Sequence, residues 1–111
     1  MDSGSLLRLI SEGTRHAILE RLRKEELTVG ELVAGLEDEQ TNISHHLAVL
    51  RKAGLVTAQR RGRRQLYRIS DPEILHLLDQ VHSIATRLDQ VGYTASLGIP
   101  VGPAPAGVMG Y

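Results

Sequence analysis

The 111-residue chain has no cysteine, tryptophan or phenylalanine, and it contains only three tyrosines. The absence of cysteine excludes disulfide bonds, cysteine-ligated zinc and thiol-based redox sensing. Because aromatic side chains are so few, the core must be built from Leu, Ile, Val and Ala, a composition that suits a helical protein. The chain shows neither a secretory signal pattern nor an apolar run long enough for a membrane span, so we expect a cytoplasmic protein with no membrane partner.

The formal net charge is zero, but the charges are distributed unevenly along the chain. Residues 1–50 carry five basic and nine acidic side chains, whereas residues 51–68 carry seven basic side chains and no acidic one. Residues 69–111 carry one arginine and four acidic side chains. A neutral chain with one strongly basic segment indicates an anionic partner that binds at that segment.

Hydrophobic periodicity and turn residues predict five helices and one hairpin. Thr14 is the expected N-cap of the second helix, and Gly54 is the expected left-handed residue after the fourth. Asp71 and Pro72 have the residue types of an N-cap and a first helical position. The predicted elements are helices at 5–11, 14–24, 30–36, 40–53 and from 72, with strands at 27–29, 55–59 and 64–69.

The predicted fourth helix is amphipathic. Ile43, Leu47 and Leu50 form an apolar stripe at helical spacing. The opposite face carries short polar groups that suit base edges and phosphates. A basic hairpin follows directly, and a pair of helices followed by such a hairpin is typical of a winged helix-turn-helix. The predicted fold is therefore mainly α with a small β-hairpin wing, and the predicted partner is double-stranded DNA.

The hairpin has an alternating pattern on its returning strand. Tyr67 and Ile69 share one face, whereas Arg64 and Arg68 share the other. We expect the first face to pack on the core and the arginines to project towards DNA phosphates or a narrow minor groove. The predicted DNA-binding residues of the fourth helix and the hairpin are Gln40, Thr41, Asn42, Ser44, His45, Arg51, Arg60, Arg61, Arg63 and Arg64.

An apolar stripe on the fifth helix, close to a heptad pattern, predicts a homodimer because so small a domain has little other surface to cover it. The interface residues predicted on the first and fifth helices are Leu6, Leu7, Ile74, Leu78, Val81, Ala85 and Leu88. The DNA-binding and dimerisation domain is expected at residues 1–91. Residues 92–111 contain five glycines, three prolines and no charge, which predicts an apolar C-terminal tail without regular structure.

Several motifs resemble those of the ArsR family of repressors. Residues 12–19 resemble the opening D-P-T-R-x-x-I-L, and residues 29–32 are similar to the start of the family's third helix. Residues 43–56 resemble S-x-H-L-x-x-L-x-x-A-G-L-V, and residues 62–67 fit the wing pattern G-R-x-x-x-Y. The resemblance covers residues 5–90. It implies a dimer, joined by its first and fifth helices, that binds a palindromic operator and releases it when an inducer arrives.

The resemblance also implies residue roles in the fourth helix and exposes two departures. Ser44 and His45 occupy the family's usual base-reading positions, and His46 matches a mainly structural histidine. The cysteines of the family's thiolate metal site are replaced by Val33 and Gly35. The second common metal site would fall on Asp71, Glu73, Ile84 and Arg87, of which the last two cannot bind a metal ion.

The sequence leaves three functional hypotheses open. The leading one is a homodimeric transcriptional repressor that has an unidentified inducer and needs no cofactor. The second is a winged helix used for protein–protein contact. The third is a metal-sensing repressor, in which His82 with Asp71 and Asp89 binds a divalent ion across two antiparallel fifth helices; otherwise His82 is a hydrogen-bonded interface residue. An enzyme is not expected, because the chain has no cysteine and because Ser44 and His45, adjacent on a helix, point in different directions and cannot act as nucleophile and base.

Overall fold

The computed structural model describes residues 1–90, which form five helices and one two-stranded antiparallel hairpin. The predicted tail at 92–111 lies outside these residues. The chain divides into two units, Met1–Leu75 and a segment that begins at His76, and each is described by itself. The elements are α1 (Ser3–Ser11), α2 (Gly13–Lys24), α3 (Val29–Leu36), α4 (Gln40–Lys52), β1 (Val56–Arg61), β2 (Arg64–Ile69) and α5 (Pro72–Gln90).

Short acidic and hydroxyl side chains start the first three helices. The Asp2 carboxylate accepts a hydrogen bond of 2.7 Å from the backbone N–H of Ser5 and begins α1 two residues before the predicted start. The prediction that Thr14 caps α2 is wrong, because Glu12 accepts the bond from the N–H of Arg15 at 2.8 Å. A carboxylate two residues earlier therefore satisfies one of the free N–H donors at this end of the helix.

The helix α3 begins with a reciprocal capping box. The Thr28 hydroxyl accepts from the N–H of Glu31 at 3.1 Å, and the Glu31 carboxylate accepts from the N–H of Thr28 at 2.9 Å. This pairing corrects the strand predicted at 27–29, since only Leu27 pairs with the hairpin, through two backbone bonds to Tyr67 of 2.8 and 3.1 Å. The capping box turns the chain into a helix directly after that single bridge.

The helix α4 ends as its sequence predicts. Ala53 is the C-cap, and Gly54 follows it with φ of +86°, in the left-handed region where glycine costs least. The N–H of Leu55 then bonds the carbonyl of Leu50 at 2.9 Å. The chain reverses here and enters β1, so the hairpin starts directly below the last turn of α4.

The two hairpin strands pair in register from Val56 opposite Ile69 to Arg61 opposite Arg64. Gly62, with φ of +64°, lies in the two-residue turn that joins them. The expected packing of β2 is correct only in part. Tyr67 and Ile69 are half-buried and Arg64 and Arg68 are exposed, but the one buried residue of the strand is Leu66, which lies between these arginines on the face predicted to be open. Both α2 and α3 contact β2, and Glu31 of α3 forms an ion pair with Arg64 on this face.

The core of the first unit is aliphatic, as the composition requires. The helices α2 and α4 pack together, α3 packs on α4, and β1 contacts α4. Within the described residues, no polar or charged residue is buried. The buried side chains of this unit are Ile10, Ile18, Leu19, Leu22, Leu27, Leu32, Ile43, Leu47, Leu50, Leu55, Val56 and Leu66.

The long helix α5 begins at the predicted place. The Asp71 carboxylate accepts from the N–H of Glu73 at 2.8 Å, and Pro72 is the first helical residue. Leu78 has no exposed surface within a single chain, whereas Val81 and Ile84 are 43% and 41% exposed. Among residues 1–90, no helix combines the length and the apolar character needed to cross a membrane.

Candidate nucleic-acid interface

The buried stripe of α4 decides which of its side chains reach solvent. Ile43, Leu47 and Leu50 are at most 1% exposed and hold one face of the helix against α2 and α3. The opposite face therefore points away from the core. The side chains exposed on it include three of the predicted DNA contacts, namely Thr41, Ser44 and His45, together with Ala48. The predicted contact Gln40 is also exposed, but it lies in the first turn on the side of the stripe.

Asn42 differs from the other predicted contacts on α4. It is half-buried, and its side-chain amide donates to the Asp38 carboxylate at 2.8 Å. The same carboxylate accepts from the N–H of Glu39 at 2.7 Å. Asp38 thus ties the first turn of α4 to the acidic turn before it, and Asn42 has a structural partner already.

The C-terminal end of α4 is cationic and borders a cavity. Arg51 and Lys52 are both exposed in the last turn. Together with a tyrosine on β2, they surround an open cavity of about 330 Å³ beside the polar face. Its lining residues are Ser44, Leu47, Ala48, Arg51, Lys52 and Tyr67. Tyr67 was absent from the predicted site because only the packing of the hairpin brings β2 beside this helix. Lys52 was counted in the basic segment 51–68 but was not assigned as a contact.

The four predicted hairpin arginines are all exposed, but their environments differ. Arg61 lies 2.9 Å from the carboxylate of Glu26, and Arg64 lies 2.9 Å from that of Glu31. Arg60 and Arg63 have no ion pair within the described part of the chain. The expectation that all of these arginines project freely therefore holds for two of them, while two contact carboxylates from the α2–α3 region.

A cluster of polar side chains joins the start of α2 to the middle of α4. Arg15 donates through Nε to the carbonyl of Leu9 at 2.8 Å, and its Nη1 lies 3.3 Å from Nδ1 of His46. The same ring nitrogen is 3.7 Å from the Glu12 carboxylate. The N–H of Arg15 lowers the pKa of Glu12 from its ordinary value of 4.5, so this carboxylate is ionised at neutral pH. His46 thus orients α4 rather than facing solvent.

The weak metal candidates do not converge within one chain. Asp71 caps α5, and His82 and Asp89 lie further along the same helix. Within residues 1–90, no group of three or more His, Cys, Asp or Glu side chains is arranged to hold a metal ion. Gly35 stands at one of the two positions that hold a cysteine in the family's thiolate metal site. The guanidinium of Arg21 fills the space where a side chain at this position would begin, with its Cζ 2.6 Å from where a Cβ atom would lie.

The predicted interface residues of α1 and α5 vary in exposure. Leu7 is 60% exposed, Val81 and Ala85 are also exposed, and Leu6 and Leu88 are half-buried. Ile74 is half-buried, and Leu78 is fully buried in one chain. Ile84 was not among the predicted interface residues, although its side chain is 41% exposed and lies on the same helix face as Val81 and Leu88.

Sequence relatives of this chain are named as transcription regulators. The HTH-type transcriptional repressor SmtB of Mycobacterium tuberculosis is 41% identical over 76 residues, which are 68% of this chain and 56% of SmtB. This chain therefore spans little more than half the length of that relative. The transcriptional activator HlyU of Vibrio cholerae is 34% identical over 85 residues, which are 77% of this chain and 79% of HlyU.

Solved structures share the fold. Reduced HlyU from Vibrio cholerae matches with a TM-score of 0.66 at 35% identity, over 71% of this chain and 83% of HlyU. The homodimeric winged helix-turn-helix DNA-binding domain of Mb0332 from Mycobacterium bovis matches with a TM-score of 0.66 at 28% identity, over 78% and 88% of the two chains. Residues 12–58 match the family model for bacterial regulatory proteins of the arsR type. This chain belongs to the ArsR family of bacterial regulatory proteins.

Proposed function

We propose that this chain is a sequence-specific transcription regulator that binds double-stranded DNA through α4 and the hairpin. One observation carries the proposal: the exposed polar face of α4 lies opposite its buried stripe and runs into the cationic end formed by Arg51 and Lys52. Ser44 and His45 read base edges in the major groove, and the hairpin arginines contact the backbone. The regulator names of its relatives support this function over catalysis.

The regulator acts as a homodimer in this proposal. The exposed apolar residues Val81 and Ile84 form a face on which α5 pairs with its counterpart about a two-fold axis. The homodimeric state of the Mb0332 domain supports the pairing. Two recognition helices related by that axis fit a palindromic operator with half-sites about 34 Å apart, one turn of DNA.

The direction of regulation that we propose is repression, in line with the name of SmtB. Because HlyU is named an activator, a reporter gene placed behind the operator is the direct test. The inducer is a molecule other than a thiolate-bound metal, since the chain has no cysteine. Deletion of the gene should raise the reporter signal, and a fall would assign activation instead.

The base-reading role of α4 predicts a loss of discrimination on side-chain removal. Ser44→Ala or His45→Ala should reduce the preference for an operator, recovered by selection from random duplexes, by about 1–3 kcal/mol per lost base contact. Both residues are exposed, so the fold should be retained. Paired mobility-shift titrations on operator and random DNA measure the effect, with Ser83→Ala on α5 as control. An equal loss on both duplexes would mean that α4 does not read the bases.

The hairpin tip predicts a change in salt dependence rather than in sequence preference. Arg63→Ala should weaken binding to every duplex by a similar factor and flatten the slope of log K against log salt by about two units, because each protomer of the dimer loses one phosphate contact. Titrations at several salt concentrations measure the slope. Lys24→Ala, an exposed cation at the end of α2, is the matched control and should leave it unchanged. A slope unaltered by Arg63→Ala would exclude a phosphate contact at the tip.

A further inference from the structure

The register of the hairpin sorts its arginines onto two faces. Arg61 pairs directly with Arg64 across the strands, so their side chains lie on the same face as Leu66 and Arg68. Arg60 lies on the opposite face, which also carries Tyr67 and borders the cavity beside α4. Three arginines are therefore concentrated on the face of Leu66, and two of them are directly opposite each other.

Like charges directly opposite on two strands repel, and two carboxylates from other elements offset the repulsion here. Glu26, in the connection between α2 and α3, lies 2.9 Å from Arg61 and 3.8 Å from Arg68. Glu31, in the first turn of α3, lies 2.9 Å from Arg64. The Arg61–Glu26 and Arg64–Glu31 pairs join residues 35 and 33 positions apart in the chain, so they exist only in the folded protein.

Glu31 is held in place independently of the hairpin. Its Oε1 accepts from the N–H of Thr28 at 2.9 Å as part of the capping box and accepts from Arg64 at 2.9 Å as well. The N–H of Thr28 is the main cause that lowers the pKa of Glu31 from its ordinary value of 4.5, and Arg64 adds to it. A fixed, ionised carboxylate thus occupies the guanidinium where a DNA phosphate oxygen would otherwise bind.

We propose that Glu26 and Glu31 are intramolecular competitors of DNA phosphates for Arg61 and Arg64, and that they limit the affinity of this protein for DNA. The inference rests on the proposed DNA-binding function. A phosphate can bind either arginine fully only after the carboxylate has been displaced. Exposed ion pairs of this kind reduce the affinity by about two- to five-fold for each pair that must break. The reduction matters most for non-specific DNA, where phosphate contacts supply nearly all of the binding.

The sharpest test removes the charge of Glu31 and keeps its structural role. Glu31→Gln retains an oxygen that accepts from Thr28, since glutamine also completes a capping box. On a random-sequence duplex that spans two half-sites, each protomer should gain about two- to five-fold, so the Glu31→Gln dimer should bind about four- to 25-fold more tightly than the unsubstituted chain. The same substitution made in an Arg64→Ala background should have no such effect, because the arginine released by the glutamine is absent.

A general electrostatic effect gives a different pattern. Loss of any negative charge near the DNA would tighten binding in both backgrounds, so equal tightening with and without Arg64 overturns the proposal. Glu25→Gln is the matched control, since Glu25 is exposed, adjacent to Glu26 and outside the ion pairs of the hairpin in the described residues. Equal tightening by Glu25→Gln and Glu26→Gln also overturns it.

Two further outcomes are decisive. Unchanged or weaker binding by both Glu26→Gln and Glu31→Gln overturns the competition and indicates that the carboxylates only position the arginines. Failure of the unsubstituted chain to bind any duplex refutes the proposed function itself, which a titration of that chain alone reveals. Circular dichroism and thermal unfolding of each variant show that the compared proteins are folded.

Discussion

A chain carrying both Val81→Glu and Ile84→Glu is expected to be a folded monomer that no longer holds its operator. The two side chains are 43% and 41% exposed and lie on one face of α5 with Leu77 and Leu88, at heptad-like spacing. Pairing of two such helices would bury four unpaired carboxylates, which is strongly unfavourable. Because a monomer loses the second half-site, operator affinity should fall by about 10²- to 10⁴-fold. Light scattering gives the mass, and a mobility shift gives the affinity.

The matched control adds the same charges one residue earlier. Gln80→Glu and Ser83→Glu lie on the exposed polar face of α5 and should leave mass and operator affinity near those of the unsubstituted chain. A dimer that persists with Val81→Glu and Ile84→Glu would place the interface elsewhere. Leu78→Glu is a poorer test, because Leu78 is already buried within one chain and its substitution would damage folding directly.

Leu50→Ala is expected to lower the free energy of unfolding by about 2–5 kcal/mol, a large part of the total stability of a domain this size. The Leu50 side chain has no exposed surface and belongs to the stripe that fixes α4 against α2 and α3. Its truncation leaves a cavity that the surrounding side chains fill only in part. Chemical denaturation at a fixed protomer concentration measures the loss, since dimerisation also contributes to stability.

Leu7→Ala provides the comparison for Leu50→Ala. Leu7 is also a leucine, but it is 60% exposed, so in a single chain Leu7→Ala should lower the free energy of unfolding by no more than about 0.5 kcal/mol. At concentrations where the dimer forms, any larger cost at Leu7 reports its contribution to the interface. A loss below 1 kcal/mol at Leu50 would contradict the packing of α4 described above.

The helical pattern was readable from the sequence because the relevant interactions are local. Ile43, Leu47 and Leu50 are one helical turn apart, so their spacing predicted both the helix and its buried face. Gly54 and the Asp71–Pro72 pair marked helix ends by backbone preferences that do not depend on the rest of the fold. The family resemblance rested on the same segments and is confirmed by the match of residues 12–58.

The sequence analysis was wrong about the N-cap of α2 and incomplete about the inner face of β2. At both places neighbouring residues were able to take the same structural role. Both Glu12 and Thr14 have side chains able to cap α2, and the path of the chain between α1 and α2 selected Glu12. In β2 the residue types alternate with a period of two, but each face of the strand carries a side chain that is at least partly buried. Leu66 packs on one of these faces between Arg64 and Arg68, so alternation alone could not identify the inner face.

The sequence by itself determined the helices, the hairpin, the apolar stripe of α4 and the basic segment after it. These features depend on the periodicity and charge of residues that are close together in the chain. Only the tertiary structure decided which hairpin arginines are paired and that Leu78 is buried in one chain. Glu26 and Glu31 are more than 30 residues from the arginines that they contact. Such pairs depend on how α2, α3 and the hairpin pack, and this packing cannot be predicted from a local sequence pattern.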